Sequence, residues 1–260
     1  MRIALGLEYD GTDFVGWQTQ RNERSVQQAL SDAISAVADH PVAVAGSGRT
    51  DAGVHALQQV AHFDTESHRE PRQWLLGINS NLPADIAVQW VRLVDLTFDA
   101  RRSALWRRYR YLIMQRGVRS ALMHRRTWWL REKLDCGAMS AAATSWLGEN
   151  DFSAFRAAGC QSSTPMRRLM AVGIRESDSL ISFEFTANAF LQHMVRNFVG
   201  VLVKIGAGGA PPAWSADVLQ GRDRTRGGVA APPQGLTLME VGYPATFDIP
   251  TPQDAWSGLL

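Results

Sequence analysis

An α+β fold made of two similar α/β halves is what this sequence predicts, on three observations. Ile3, Leu5, Leu7 and Tyr9 alternate with polar or small residues and open the chain as a half-buried strand. A stripe at helical spacing follows in Val26, Ala29, Leu30, Ala33, Ile34 and Val37. After Phe98 the same order of strands and helices begins again. These patterns imply halves at 1–103 and 104–246 with a tail at 247–260. The halves are expected to share a mixed, mainly antiparallel sheet flanked by helices, with a site in the cleft between them.

Each element has a local cause. Residues 2–10 form the first strand, and Ser25-Val26-Gln27-Gln28 reads as a capping box opening the first helix. Val42–Ala45 and Leu57–Phe63 read as short strands flanking a glycine-rich loop. Pro71 opens a second helix through Ile78, and Ile86–Val94 is a strand. In the second half Leu105–Gln115 is a strand, and a helix runs from about Asp135 to Leu147 until Gly148 stops it. Strands at Arg167–Glu176 and Leu180–Ala187 precede a helix from His193 to Ile205, which buries Val195, Phe198, Val199 and Leu202 and ends at Gly206. A short helix near Ser215 and a strand at Leu236–Val241 complete the set. The Gly-, Pro- and Ala-rich stretch 207–234 and the Pro-punctuated chain after Tyr243 read as surface connections.

Hydrophobic residues make up 45% of the 260 positions and charged residues 20%, the composition of a soluble globular protein. No apolar run reaches the length of a bilayer span, and the N-terminus lacks the apolar segment of a signal peptide. No membrane contact is expected, and the cytoplasm is the expected compartment. Cys136 and Cys160 are the only cysteines and have no metal spacing, so they are expected as reduced core thiols. His55, His62 and His193 read as hydrogen-bonded structural residues, and neither a metal nor a cofactor is expected.

Charge is unevenly placed. Between Arg101 and Arg131 stand ten arginines and no Asp or Glu, leaving 17 basic against 25 acidic residues elsewhere. Trp106, Tyr109, Tyr111, Trp128 and Trp129 are interleaved with those arginines. Cations beside flat rings suit single-stranded nucleic acid, although a solvated basic face would read the same way. The expected carriers of RNA affinity include Arg107 and Arg108.

The sharpest local feature is Gly46-Ser47-Gly48-Arg49-Thr50-Asp51-Ala52-Gly53-Val54-His55-Ala56, set between two predicted strands. Its glycines open backbone angles closed to other residues, so the loop can hold Arg49 and Asp51 in an unusual posture. It lacks the Gly-Lys-Ser/Thr ending of a phosphate loop and leads into a strand rather than a helix N-terminus. The residue types alone leave a tight turn, a catalytic loop and a phosphate loop open.

The segment GRTDAGVHA closely resembles the catalytic loop of the tRNA pseudouridine synthase A family. LEYDGTDFVGWQ (7–18), SVQQAL (25–30), NLPADIAV (81–88), ARRSALWRRYRYLI (100–113), GENDFSAF (148–155), NAFLQHMVRNFVG (188–200) and GLTLMEVGYP (235–244) are similar to that family in the same order. The resemblance therefore covers most of the chain, with looser similarity near 232 and after Tyr243. It implies the pseudouridine synthase fold and Asp51 as nucleophile. It further implies that Tyr109 stacks on the target base, that Arg196 is the cation paired with the catalytic carboxylate, and that Arg49 fills the space of the flipped base. The implied substrate is tRNA at uridines 38–40 of the anticodon stem-loop, and the implied assembly is a homodimer.

The chemistry asks for these residue types. Uridine must lose its bond from nitrogen to ribose, turn as trapped uracil and rejoin through C5. A carboxylate attacking C6 of the base or C1′ of the sugar splits this into easier steps. The sequence leaves both routes open. A neighbouring guanidinium favours the charged carboxylate, and an aromatic platform offsets part of the unstacking cost. Two rival classes remain at this level. A non-catalytic RNA-binding protein would not need Asp51. A glycosidic hydrolase would call for a second carboxylate, which the loop does not supply before Asp64.

Overall fold

The computed structural model describes residues 1–251, so most of the expected tail at 247–260 lies outside the described residues. In chain order the elements begin with β1 (Arg2–Tyr9), α1 (Val26–Ala38), β2 (Ala45–Gly46), β3 (His55–Asp64), α2 (Pro71–Asn81) and β4 (Ile86–Val94). They continue with β5 (Trp106–Gln115), β6 (Trp128–Leu130), α3 (Cys136–Ala143), β7 (Gly148–Asp151), β8 (Met166–Ser177) and β9 (Leu180–Ala187). The last are α4 (Met194–Gly206), α5 (Trp214–Gly221) and β10 (Leu236–Gly242). The chain is α+β, and its described residues divide into two compact units, one of Met1–Trp106 with 237–251, the other of Arg107–Leu236. The strand from 237 lies inside the range read from sequence as the second half, yet it joins the first unit, where Thr237 and Leu238 run parallel to His55 and Ala56 of β3.

In the first unit β1 is central, antiparallel to both β3 and β4. Ile3, Leu5, Leu7 and Tyr9 are all buried, as are Val26, Leu30 and Ile34 of α1 and Trp74 and Ile78 of α2. Ile3 stands opposite Phe63, whose ring meets Trp74 edge-on at 5.4 Å, so this sheet face carries the helices. The other face is closed by aromatic side chains. Trp90 lies flat over Gly6, where even a Cβ would come within 2.1 Å of its ring nitrogen. Phe98 packs on His62, Tyr243 and Phe247 at 5.2–6.0 Å, and Tyr243 Oη donates to Ala100 O at 2.6 Å. Both faces are thus covered, which explains why β3 is buried along nearly its whole length.

Two local expectations in this unit change for physical reasons. The strand expected at Val42–Ala45 shrinks to Ala45–Gly46, because side chains of α1 take the earlier backbone groups: Val42 N donates to Ser35 Oγ and Val44 O accepts from Gln27 Nε2. Ser25 caps α1 by accepting from Gln28 N. The reciprocal capping box occurs instead on α2, between Glu70 and Gln73.

In the second unit β9 lies between β5 and β8, antiparallel to both, and β7 flanks β8. Phe198 of α4 is the hub of the core, with the rings of Trp146, Phe155, Phe152 and Phe185 within 4.6–5.5 Å. The helix expected through Leu147 leaves α geometry at Ala143 and ends as a 3-10 turn at Thr144–Trp146. Hydroxyls of Thr144, Ser145 and Ser215 occupy the carbonyls of Ala141 and Ala142 there, competing with the next helical turn. Cys136 and Cys160 are half-exposed rather than core thiols, because they fall at a helix start and in a loop. Among the described residues no helix is long and apolar enough to cross a membrane.

Candidate active site

The loop that carries Asp51 is held from below by its own strand and from the side by residues 11–17. Ser47 N donates to Val60 O at 2.8 Å, and Gln59, fully buried on β3, donates through Nε2 to Gly48 O at 2.9 Å. Trp17 N donates to Thr50 O, Gly53 N to Phe14 O, and an isolated antiparallel bridge joins Gly16 to Asp51. Two glycines make this contact possible. A Cβ on Gly11 would sit 1.9 Å from Val54 O, and one on Gly16, at φ +109°, would sit 2.5 Å from Thr50 O. The segment Gly11–Trp17 therefore lies backbone against backbone on the loop.

Thr50 sets the direction of its neighbours. Its Oγ1 shares a 2.8 Å hydrogen bond with Tyr9 Oη inside the core. Burial pushes the Tyr9 hydroxyl up to about 12, against the opposing effect of its bonds to Thr50 and Gln59, so it stays a neutral anchor at physiological pH. With Thr50 turned inward, alternation along the extended stretch directs Arg49 and Asp51 the other way. Arg49 is exposed and Asp51 half-buried. His55 accepts from Gly11 N at Nδ1, and His62 accepts from Ala100 N, its pKa lowered chiefly by burial.

The second unit holds the other two expected site residues. Arg107, Tyr109 and Tyr111 share the face of β5 that pairs across to Ala187, Phe185 and Phe183. Tyr109 is 8% exposed and its ring meets Phe190 edge-on at 5.0 Å. Tyr111, expected as a core residue, is fully buried and donates to Pro232 O at 2.8 Å. Arg196 stands in the first turn of α4, half-buried, and its Nε donates to Ala231 O at 2.8 Å.

The arginine-rich stretch does not act as one surface. Arg107 is 9% exposed and donates to Asn188 O at 2.9 Å, so part of its guanidinium is engaged within its own unit. Arg110 forms a two-pronged pair with Glu184 at 2.7 and 3.0 Å, and Arg116 braces its own loop through Val118 O and Arg119 O. Arg101, Arg102, Arg119, Arg125 and Arg131 are exposed, the last lying over the ring of Trp129. Among the described residues no cluster of three or more His, Cys, Asp or Glu could hold a metal ion.

An α+β chain that braces a half-buried carboxylate on a glycine-freed loop, and carries exposed arginines elsewhere, fits the class of RNA-modifying enzymes. The comparisons make that class definite. The sequence model described as tRNA pseudouridine synthase matches residues 7–101 and 142–244. The tRNA pseudouridine synthase A of Methylococcus capsulatus is 51% identical over 249 residues, covering 96% of this chain and 92% of the relative. The proteins of the same name from Coxiella burnetii and Nitrosococcus oceani are each 49% identical, covering 96% of this chain and 95% and 96% of theirs. The chain belongs to the tRNA pseudouridine synthase family, and it is an enzyme of the isomerase class that acts on uridine in tRNA.

Sequence reasoning left Gly11, Gly16 and Trp17 without a role and gave Tyr9 only a place on the buried face of the first strand. Their signal was present in two glycines bracketing a four-residue turn, but which loop they would touch could not be read along the chain.

Proposed function

We propose that this enzyme converts uridine to pseudouridine at positions 38–40 of the tRNA anticodon stem-loop, with Asp51 as the nucleophile. The observation that carries the reading is the clamp of Gly11–Trp17 on Thr50–Val54, which fixes the backbone of a short loop and leaves Asp51 and Arg49 as its outward groups. Asp51 attacks C6 or C1′ of the target nucleotide, the bond from N1 to C1′ breaks, the base turns, C5 bonds to C1′, and the bond from Asp51 to carbon breaks to return the free carboxylate. The proton lost from C5 balances the one gained at nitrogen, so atoms are conserved. Arg196 supplies the cation for the Asp51 carboxylate, and a guanidinium suits it because two of its N–H groups meet two oxygens. Arg49 occupies the place of the flipped base and Tyr109 stacks on it. Family resemblance adds a homodimer, and the cytoplasm stays the compartment expected from the sequence.

The test is incubation with an unmodified tRNA transcript, nuclease digestion and separation of nucleosides. Pseudouridine mapped to positions 38–40 supports the reading. Released uracil means hydrolysis, and unchanged uridine means a binding protein; either result overturns it.

Tyr109 allows a sharper measurement. Phe in its place is expected to hold tRNA with an affinity within about threefold of wild type, whereas Leu loses the about 1–3 kcal/mol of base stacking. Equal affinity and turnover in the two variants would remove the stacking role.

For the arginines, we expect Arg119→Gln with Arg131→Gln to flatten the salt dependence of tRNA binding. Each lost phosphate contact lowers the slope by about 0.7–0.9. Arg107→Gln is expected to lower thermal stability instead, since its guanidinium is spent on Asn188. A slope unchanged in the double variant takes those two residues out of the interface.

A further inference from the structure

The first turn of α4 is overlaid by an irregular segment, Gly228–Pro232, whose fastening is more elaborate than a surface connection needs. Ala231 clasps Arg196 twice: its N–H donates to Arg196 O at 2.9 Å, and its carbonyl accepts from Arg196 Nε at 2.8 Å. Ala231 itself is fully buried. One end of the segment is tied by Arg224, which donates to Gly228 O and to Asn197 Oδ1, both at 2.8 Å. Asn197 is 2% exposed, neighbours Arg196 on the helix, and donates onward to Phe155 O at 2.6 Å. The other end is tied by the hydroxyl of Tyr111 on Pro232 O. Gly200 completes the seat, because a Cβ there would come 2.0 Å from Val229 O.

We infer that Tyr111 and Arg224 are positioning residues for Arg196, acting through the Gly228–Pro232 clip. The inference rests on the reading of Arg196 as the cation of the active site. A long side chain on the first turn of a helix has several rotamers open to it, and a bond from Nε to a fixed carbonyl selects among them. That carbonyl is fixed only while the clip is pinned at both ends. Tyr111 is also close enough to feel the charge of Arg196, which opposes the strong upward push that burial exerts on its hydroxyl. Neither anchor needs to touch the reacting base.

The experiment is a pair of double-mutant cycles on the full chain, with single-turnover rates measured at saturating enzyme and followed long enough to time slow variants. Tyr111→Phe and Arg224→Met are each made alone and in an Arg196→Lys background, and the tRNA Kd and Tm are recorded beside the rate. Each single variant is expected to slow the reaction about tenfold while the tRNA Kd stays within about twofold. In the Arg196→Lys background the rate losses should vanish, whereas any loss of Tm should persist. A merely structural role would lower the rate equally in both backgrounds, and that result, or full rates in both single variants, overturns the inference alone. Full activity in Arg196→Lys overturns the reading of Arg196 and the inference with it. If Arg224→Met does not fold, Tyr111→Phe, which removes a single hydroxyl, still decides.

Discussion

Asp51→Asn is expected to keep tRNA binding and to lose pseudouridine formation by more than ~1,000-fold, the largest effect of any single substitution in this chain. The amide has nearly the shape of the carboxylate. The loop around it is held by backbone contacts, Trp17 N to Thr50 O and Gly53 N to Phe14 O, which the substitution does not touch. What disappears is the negative charge and the nucleophilic oxygen. The tRNA Kd, read by filter binding, should therefore stay within about threefold, because phosphate contacts dominate affinity for nucleic acid. Nucleoside analysis of the digested product gives the turnover. An Asn variant that works within about tenfold of the wild type would mean that Asp51 is not the nucleophile, whatever the loop's posture.

The second large effect is expected from a residue with no side chain. Gly16→Ala places a Cβ 2.5 Å from Thr50 O at a residue held at φ +109°, where L side chains are strained. Backbone meets backbone at this point, so no rotamer change can relieve the contact. The φ alone costs about 1–3 kcal/mol. For a chain of this size that corresponds to a fall in Tm of roughly 3–10 °C. Turnover should fall further than the loss of folded protein explains, since the strand that must retreat is the one bridged to Asp51. Gly48→Ala is the control for stability: no atom outside its immediate chain neighbours lies within 4 Å of the added Cβ, so its Tm should be close to that of wild type. Equal Tm values for the two variants would show that the clamp does not hold the loop.

Much of this molecule was legible residue by residue. Period-two alternation marked β1 and helical periodicity marked α1 and α4, because the large apolar side chains of each collect on one face and that placement writes itself into the spacing. Ser25 and Pro71 marked helix starts through their local hydrogen-bonding chemistry. The shortness of β2 and the early end of α3 were not legible. They depend on side-chain groups from elsewhere, Ser35 and Gln27 in the first case and Ser215 in the second, reaching backbone atoms that the local pattern assigns to regular structure.

The candidate site divides in the same way. Sequence alone singled out Asp51 and Arg49, since three glycines around charged residues between strands is a local signal, and the family pattern singled out Tyr109 and Arg196. That Arg107, Tyr109 and Tyr111 line the face of β5 paired to Ala187, Phe185 and Phe183, and are all buried, was decided by the pairing of β5 with β9. Only the tertiary structure placed Gly11 and Gly16 on the Asp51 loop, and the Gly228–Pro232 clip on Arg196. The reason is physical: periodicity, capping and glycine freedom act between residues a few positions apart, whereas the orientation of a functional side chain is set by close backbone approaches between residues far apart along the chain, such as Gly16 and Thr50 or Gly200 and Val229, which no local pattern encodes.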